Sequence, residues 1–273
     1  MLSRMMSGAV LSALLCCPPA ALAVPAAAPQ EAGAAELPDS PAALFAAMSE
    51  GVRPQWRPLF RETVPHSAPD RYKAALGLGG IVADCYLAAE ARDAQQVRNL
   101  LRDMTELEMM LGIHRQMTSL RQKPAELAEN GDWQAVRAEI ALLAASHAQF
   151  LAEQKDELLA ELESLGCWVR TIHITAQFCA KQPKLPLRPC VWSPGLTASL
   201  AARAAKLSAA KLSAARPDPT LLALTKSLQE LEAVWKEGSG ITDRQAATVT
   251  LLEAMMLEFM SGEDAAGPDK STP

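Results

Sequence analysis

The sequence predicts an all-α fold, an antiparallel helical bundle of about seven or eight helices with disordered ends. Three observations lead there. Ala, Leu, Glu, Gln, Arg and Met dominate the chain, and these are the stronger helix formers. Tyr and Phe are scarce, and no window alternates apolar and polar residues as a half-buried strand does. Apolar residues instead recur at three- and four-residue steps, and the stretches that carry them are bounded by Gly, Pro or Asn-Gly.

The first 23 residues read as a signal peptide. Arg4 supplies a positive start, Val10 to Leu15 with Cys16 and Cys17 form a short apolar run, and Pro18-Pro19 break it. Ala21-Leu22-Ala23 then offers the small-x-small pattern of a signal-peptidase site, which places cleavage after Ala23 and the protein in the periplasm or outside the cell. A lipid anchor at Cys16 or Cys17 is the alternative reading, weakened by the leucines that precede them. The apolar run is shorter than the ~20 residues that span a bilayer. Residues 24–39 are an Ala/Pro-rich linker without apolar period, and residues 262–273 a polar tail. Between them lies a helical domain over 40–261, with no further segment apolar enough for a membrane span.

Within that domain Ser40-Pro41 reads as a cap and first position of a short helix ending at Gly51. An irregular stretch with Pro54, Pro58 and Pro65 precedes a helix over 69–92. Asp93 caps the next, whose stripe of Val97, Leu100, Leu101, Met104, Leu107 and Leu111 stops at Gly112. Shorter helical turns are expected around Pro124. Asn130-Gly131-Asp132 is a turn and cap before the longest expected helix, 133–165. Its seam runs Trp133, Val136, Ile140, Leu143, His147 and Phe150, then slips to Leu151, Leu158, Leu162 and Leu165. Gly166 is expected to interrupt it, with a separate helix over 168–180 and a Pro-rich loop over 181–189. Ser193-Pro194 opens an Ala-rich helix in which Ala204-Ala205-Lys206-Leu207-Ser208 recurs as Ala209-Ala210-Lys211-Leu212-Ser213. This reads as a local duplication, because a five-residue period does not match the helical turn. Two further helices are expected over 220–236 and from the capping box Thr242-Asp243-Arg244-Gln245 onward.

The whole chain carries a formal charge of −5, and the signal holds one Arg and no acid, so the mature chain stands one unit lower. Lys and Arg are dispersed and never interleaved with aromatics, which argues against nucleic acid as a partner. Gly77-Leu78-Gly79-Gly80 is no nucleotide loop: Val82 replaces the third glycine and no strand precedes it. Each glycine inside a helix costs ~1 kcal/mol relative to Ala. Gly77, Gly80 and Ala83 share a face, so close approach of a second helix is the expected reason.

Asp84 sits among Ile81, Val82, Ala83 and Leu87, and a buried carboxylate needs a partner. Arg170 is the expected one, either as an architectural ion pair or as part of a pocket that holds an acid. Four cysteines remain after the signal: Cys85, Cys167, Cys179 and Cys190. In an oxidising compartment an even number reads as disulfides, Cys179 with Cys190 across the Pro-rich loop and Cys85 with Cys167. The absence of a Cys-x-x-Cys spacing removes a thioredoxin-like or zinc-ribbon motif. Met109, Met110, His114 and Met117 could be drawn as a soft-metal cluster, although methionines at helical spacing ordinarily fill core. His147 reads as a satisfied core histidine, and Asp103, Glu106 and Glu108 as a solvated helix face.

Ala83-Asp84, Glu90-Ala91-Arg92-Asp93, Leu111-Gly112, the stretch Gly131-Asp132-Trp133-Gln134-Ala135-Val136-Arg137 and Leu165-Gly166-Cys167-Trp168-Val169-Arg170 resemble a group of uncharacterised exported helical bacterial proteins. The resemblance covers the central third of the chain. It implies export and a helical fold, and it brings no catalytic residues. Glycine is usual in that group where Cys85 and Cys167 stand, which implies a bridge between the two. No recognisable catalytic set is present, and no cofactor is expected. The expected function is therefore a non-enzymatic one, binding a protein or small-molecule partner. A metal- or redox-responsive protein using Cys, Met and His is the first alternative, and an enzyme centred on Asp84 and Arg170 the second.

Overall fold

Three aspartates open three of the central helices. Asp70 accepts from the Tyr72 and Lys73 amides at 2.8 and 3.4 Å, Asp93 from Gln96 at 3.0 Å and Asp132 from Ala135 at 3.1 Å. Each satisfies amides that have no partner inside the first helical turn. Ala at Asp93 or Asp132 is therefore expected to lower stability by about 1 kcal/mol, read from chemical unfolding of each variant.

The computed structural model describes residues 40–49, 55–61, 70–181, 194–212, 219–236 and 254. Among them it is entirely helical: α1 (Pro41–Ser49), a 3₁₀ turn (Arg57–Leu59), α2 (Arg71–Glu90), α3 (Ala94–Leu111), α4 (His114–Glu129), α5 (Trp133–Glu153), α6 (Glu157–Lys181), α7 (Pro194–Leu212) and α8 (Pro219–Lys236). None of these helices is long and apolar enough to cross a membrane. The expected signal peptide, linker and tail lie outside the described residues, as does the expected last helix apart from position 254.

α2 is the axis of the bundle. Every residue from Ala74 to Ala89 is buried, as a helix that is apolar on all sides must be. The four turns from α2 to α6 each place one residue in the left-handed region: Arg92 (φ 52°), Gly112 (φ 78°), Gly131 (φ 75°) and Lys155 (φ 62°). Each short turn reverses the chain, so four reversals leave α2 and α6 running the same way. The ion pairs agree, with Arg71 on Asp156 at 2.6 Å near both starts and Asp84 on Arg170 at 2.8 Å further along both helices. The bundle thus has antiparallel neighbours in sequence, but its central contact is a parallel one.

Three expected boundaries change. The segment expected as one helix over 133–165 is two, broken at Gln154-Lys155-Asp156, where the apolar seam slips. Gly166 does not interrupt a helix but lies inside α6, and the segment from 168 onward continues it. α4 runs unbroken through Pro124. A single missing amide donor at a buried position is tolerated there because packing on α3 and α5 holds the helix.

The glycines explain the parallel contact. A Cβ on Gly79 would run into the Glu163 carbonyl oxygen and stand 2.7 Å from the Cys167 nitrogen. A Cβ on Gly166 would strike the Leu76 carbonyl, 3.2 Å from the Leu76 Cα. Gly79, outside the expected face of Gly77, Gly80 and Ala83, is thus where backbone meets backbone. At one end of the crossing an aromatic group closes the core: Trp56 stacks on Phe178 at 5.1 Å, and Phe45 meets Trp56 at 6.0 Å and Tyr86 at 6.2 Å. α7 lies on α6, and α8 on α7.

Candidate functional site

Two clusters of buried charge are built onto α6. The first joins α2, α6 and the segment 55–61. Asp84, buried in α2, accepts from Arg170 Nε at 2.8 Å through Oδ1 and from Arg61 Nε at 2.8 Å through Oδ2. Arg170 is 1 % exposed. It also donates from Nη2 to the Leu59 carbonyl at 3.1 Å and from Nη1 to His173 Nδ1 at 2.8 Å. A guanidinium has donors only, so the His173 Nδ1 accepts and its proton sits on Nε2. Burial, then the fields of Arg170 and Arg61, push the His173 imidazole down to about 3. Burial also lowers Arg61, against the pull of Asp84.

The second cluster joins α3, α4, α5 and α6. His147 is fully buried between two carboxylates, with Nδ1 2.7 Å from Glu163 Oε1 and Nε2 3.2 Å from Glu108 Oε1. Glu108 also pairs with Arg121. Arg121 Nη2 donates to His114 Nδ1 at 3.3 Å, and His114 reaches the surface. Both histidine contacts need a proton between nitrogen and oxygen. Four helices each contribute one group to this lattice, so it specifies their mutual register as well as their attraction.

Of the expected site residues, the fold brings Asp84 and Arg170 together. Cys85 and Cys167 are buried free thiols, and the bridge expected between them is not formed. Gly79 lies against the Cys167 nitrogen, and Cys85 follows six residues later in α2, ~9 Å along its axis at 1.5 Å per residue. A disulfide needs Cα atoms within ~7 Å. Burial pushes both thiols well above the usual range, with Asp84 adding to it at Cys85 and Glu163 at Cys167. The Cys179 side chain and Cys190 lie outside the described residues. The Met109, Met110, His114 and Met117 set diverges: Met109 is 55 % exposed while Met117 is fully buried. Among the described residues no three His, Cys, Asp or Glu side chains are grouped to hold a metal.

Glu108 corrects the reading of a solvated face. Glu106 is exposed, but Glu108 has no exposed surface. Its place was legible in the sequence, four residues after Met104 and three before Leu111, on the stripe itself. Glu163 likewise follows Leu159 by four. Arg61 had no such signal, standing in an irregular stretch whose position follows from no periodicity.

Among the described residues the central groups of both clusters are buried, Asp84 and Arg170 in the first and Glu108, His147 and Glu163 in the second. Asp84 is 6 % exposed beside Arg170, and its two oxygens are occupied by two guanidinium groups. Chemically the arrangement can store charge and fix helix register. Compared with protein-family models, curated proteins and solved structures, the chain matches none.

Proposed function

We propose that this chain is an exported, non-enzymatic helical protein that binds a protein or small-molecule partner through its outer surface. One observation carries the reading. The acid and base groups that a catalytic centre would present are closed in the parallel crossing, 1 % exposed at Arg170 and 6 % at Asp84, and are engaged with one another. A general acid or base has to come within hydrogen-bond reach of its substrate, and a pair closed in this way serves register instead. Export rests on the charged start, short apolar run and Ala21-Leu22-Ala23 pattern of the sequence.

The test has two parts. Intact mass of the protein recovered from a bacterial periplasm should show the chain beginning at Val24; a retained leader or a lipid mass at Cys16 or Cys17 would overturn cleavage after Ala23. A thermal-shift screen of the same material against sugars, amino acids, peptides and nucleotides should return a ligand that raises Tm without being consumed. Turnover of a ligand, lost in Asp84→Asn with the fold retained, would put the enzyme reading in its place.

A metal- or redox-responsive protein is the second reading, favoured by the free state of Cys85 and Cys167. Burial opposes it by holding both as thiols, since the thiolate is the nucleophile and metal ligand. In the native protein neither cysteine should be alkylated within minutes, and both should react in guanidinium. Rapid native labelling, or copper bound at Met109, Met110, His114 or Met117, would move this reading to the front.

A further inference from the structure

The contacts of His147 require a particular number of protons. Its ring meets Glu163 Oε1 through Nδ1 at 2.7 Å and Glu108 Oε1 through Nε2 at 3.2 Å. A neutral imidazole carries one N–H, and an ionised carboxylate only accepts. Neutral His147 between two ionised carboxylates would therefore set a bare ring nitrogen against a carboxylate oxygen on one side. His147 and Glu108 have no exposed surface and Glu163 is 4 % exposed, and at low local dielectric such a mismatch is costly. Glu108 has a cation of its own in Arg121. The Glu163 side chain has His147 as its one hydrogen-bond partner among the described residues.

The other groups near His147 are accounted for element by element. Arg121 stands on α4 with His114 beside it at 3.3 Å, and Cys167, one turn beyond Glu163 on α6, feels the same carboxylate. On α2, which also packs on α5, the titratable groups of the buried stretch are Asp84, Cys85 and Tyr86. Asp84 is engaged by Arg61 and Arg170. Along α5 itself Arg137 meets Glu90, Glu139 meets Lys123, and Glu153 accepts from Gln149.

We propose that the His147 cluster is closed by a bound proton: at neutral pH the folded chain holds one proton more here than a neutral imidazole and two carboxylates carry, and its loss loosens the joint between α3, α5 and α6. With that proton on the ring or on a carboxyl, each gap holds one hydrogen and both contacts are hydrogen bonds. The same proton offsets the charge of Glu163, as Arg121 does for Glu108.

Alkali, not acid, opens this joint. An unfolded chain releases the proton above ~6.5, the ordinary imidazole value. Above that pH the folded chain binds one proton more than the unfolded chain, so the folding constant falls up to tenfold for each unit of rising pH until the cluster gives its proton up. Below ~6.5 the unfolded histidine is protonated as well, and the contribution is fully present.

Denaturant unfolding of the full chain from pH ~6.5 to ~9 tests this, with wild type set against Glu163→Gln at each pH so that titrations elsewhere in the chain cancel. Glutamine keeps the shape of Glu163, and its amide can donate to a bare Nδ1, so neutral His147 satisfies both contacts. The ratio of wild-type to variant folding constants should fall as pH rises, by up to tenfold per unit. A ratio that stays level to pH ~9 would overturn the bound proton. Should the variant not fold, ring nitrogen and carboxyl carbon resonances of the wild-type chain at pH ~8 carry the test. One histidine with both ring nitrogens protonated, or one Glu carboxyl still protonated, is the expected result. Four neutral rings with every carboxyl ionised would overturn it.

Discussion

Gly79→Ala is expected to destabilise the protein by roughly 3 kcal/mol or more, the upper end of what overpacking a core does. The added methyl would enter the Glu163 carbonyl and lie 2.7 Å from the Cys167 nitrogen. Backbone cannot swing aside as a side chain does, so α2 and α6 must separate along their length. The buried clusters on both sides of the crossing would open with them. Gly131→Ala is the control. It has no neighbour within 4 Å, and its cost comes from φ +75° alone, about 1 kcal/mol for a left-handed residue. Denaturant unfolding of both variants gives the comparison. A loss at Gly79 no larger than that at Gly131 would mean that the two helices do not meet through this face.

Asp84→Asn should lower stability by about 3–5 kcal/mol, the range for removing one partner of a buried ion pair. The carboxylate is bound by two arginines, so the neutral amide removes the charge that Asp84 sets against both Arg61 and Arg170. Chemical unfolding at neutral pH measures the loss. A change under ~1 kcal/mol would show that the charge is compensated from elsewhere and that the amide's hydrogen bonds suffice. Joint replacement with Asp84→Leu and Arg170→Met should restore part of the loss, as apolar residues of similar volume often do for buried pairs. If the doubly substituted chain is as stable as the wild type but loses hydrogen-exchange protection over residues 55–61, the pair serves to place that segment.

Much of the fold could be read from local chemistry. The caps at Asp93 and Asp132 and the stops at Gly112 and Gly131 stand where the sequence placed them, because a capping side chain and a positive φ are decided within a few residues. The break between α5 and α6 was missed for the same kind of reason. Its left-handed residue is Lys155, not glycine, and nothing in Gln154-Lys155-Asp156 interrupts a helical pattern as Gly or Pro would. The slip in the apolar seam at Leu151 was the one local trace of it.

The clusters divide along the same line. His147 on an apolar seam and Asp84 among apolar residues stood out as buried polar groups, since periodicity reports which face turns inward. Which groups meet them is a different matter. Glu108, Arg121 and Glu163 come from three other helices, and Arg61 from an irregular segment. Their encounter depends on how the helices are stacked and in which direction they run.

By itself, then, the sequence determined the helical class, the inward faces, the caps and the residue that most needed a partner, all properties of a few neighbouring residues. Tertiary structure alone decided that α2 and α6 run parallel with backbones touching at Gly79 and Gly166. It also decided that Cys85 and Cys167 remain apart, and that buried charged groups from five helices and the 55–61 segment meet one another. These are matters of register between distant segments. An axial displacement of a few residues, ~1.5 Å for each, separates a bonded pair from an unbonded one, and no periodicity within a single helix encodes it.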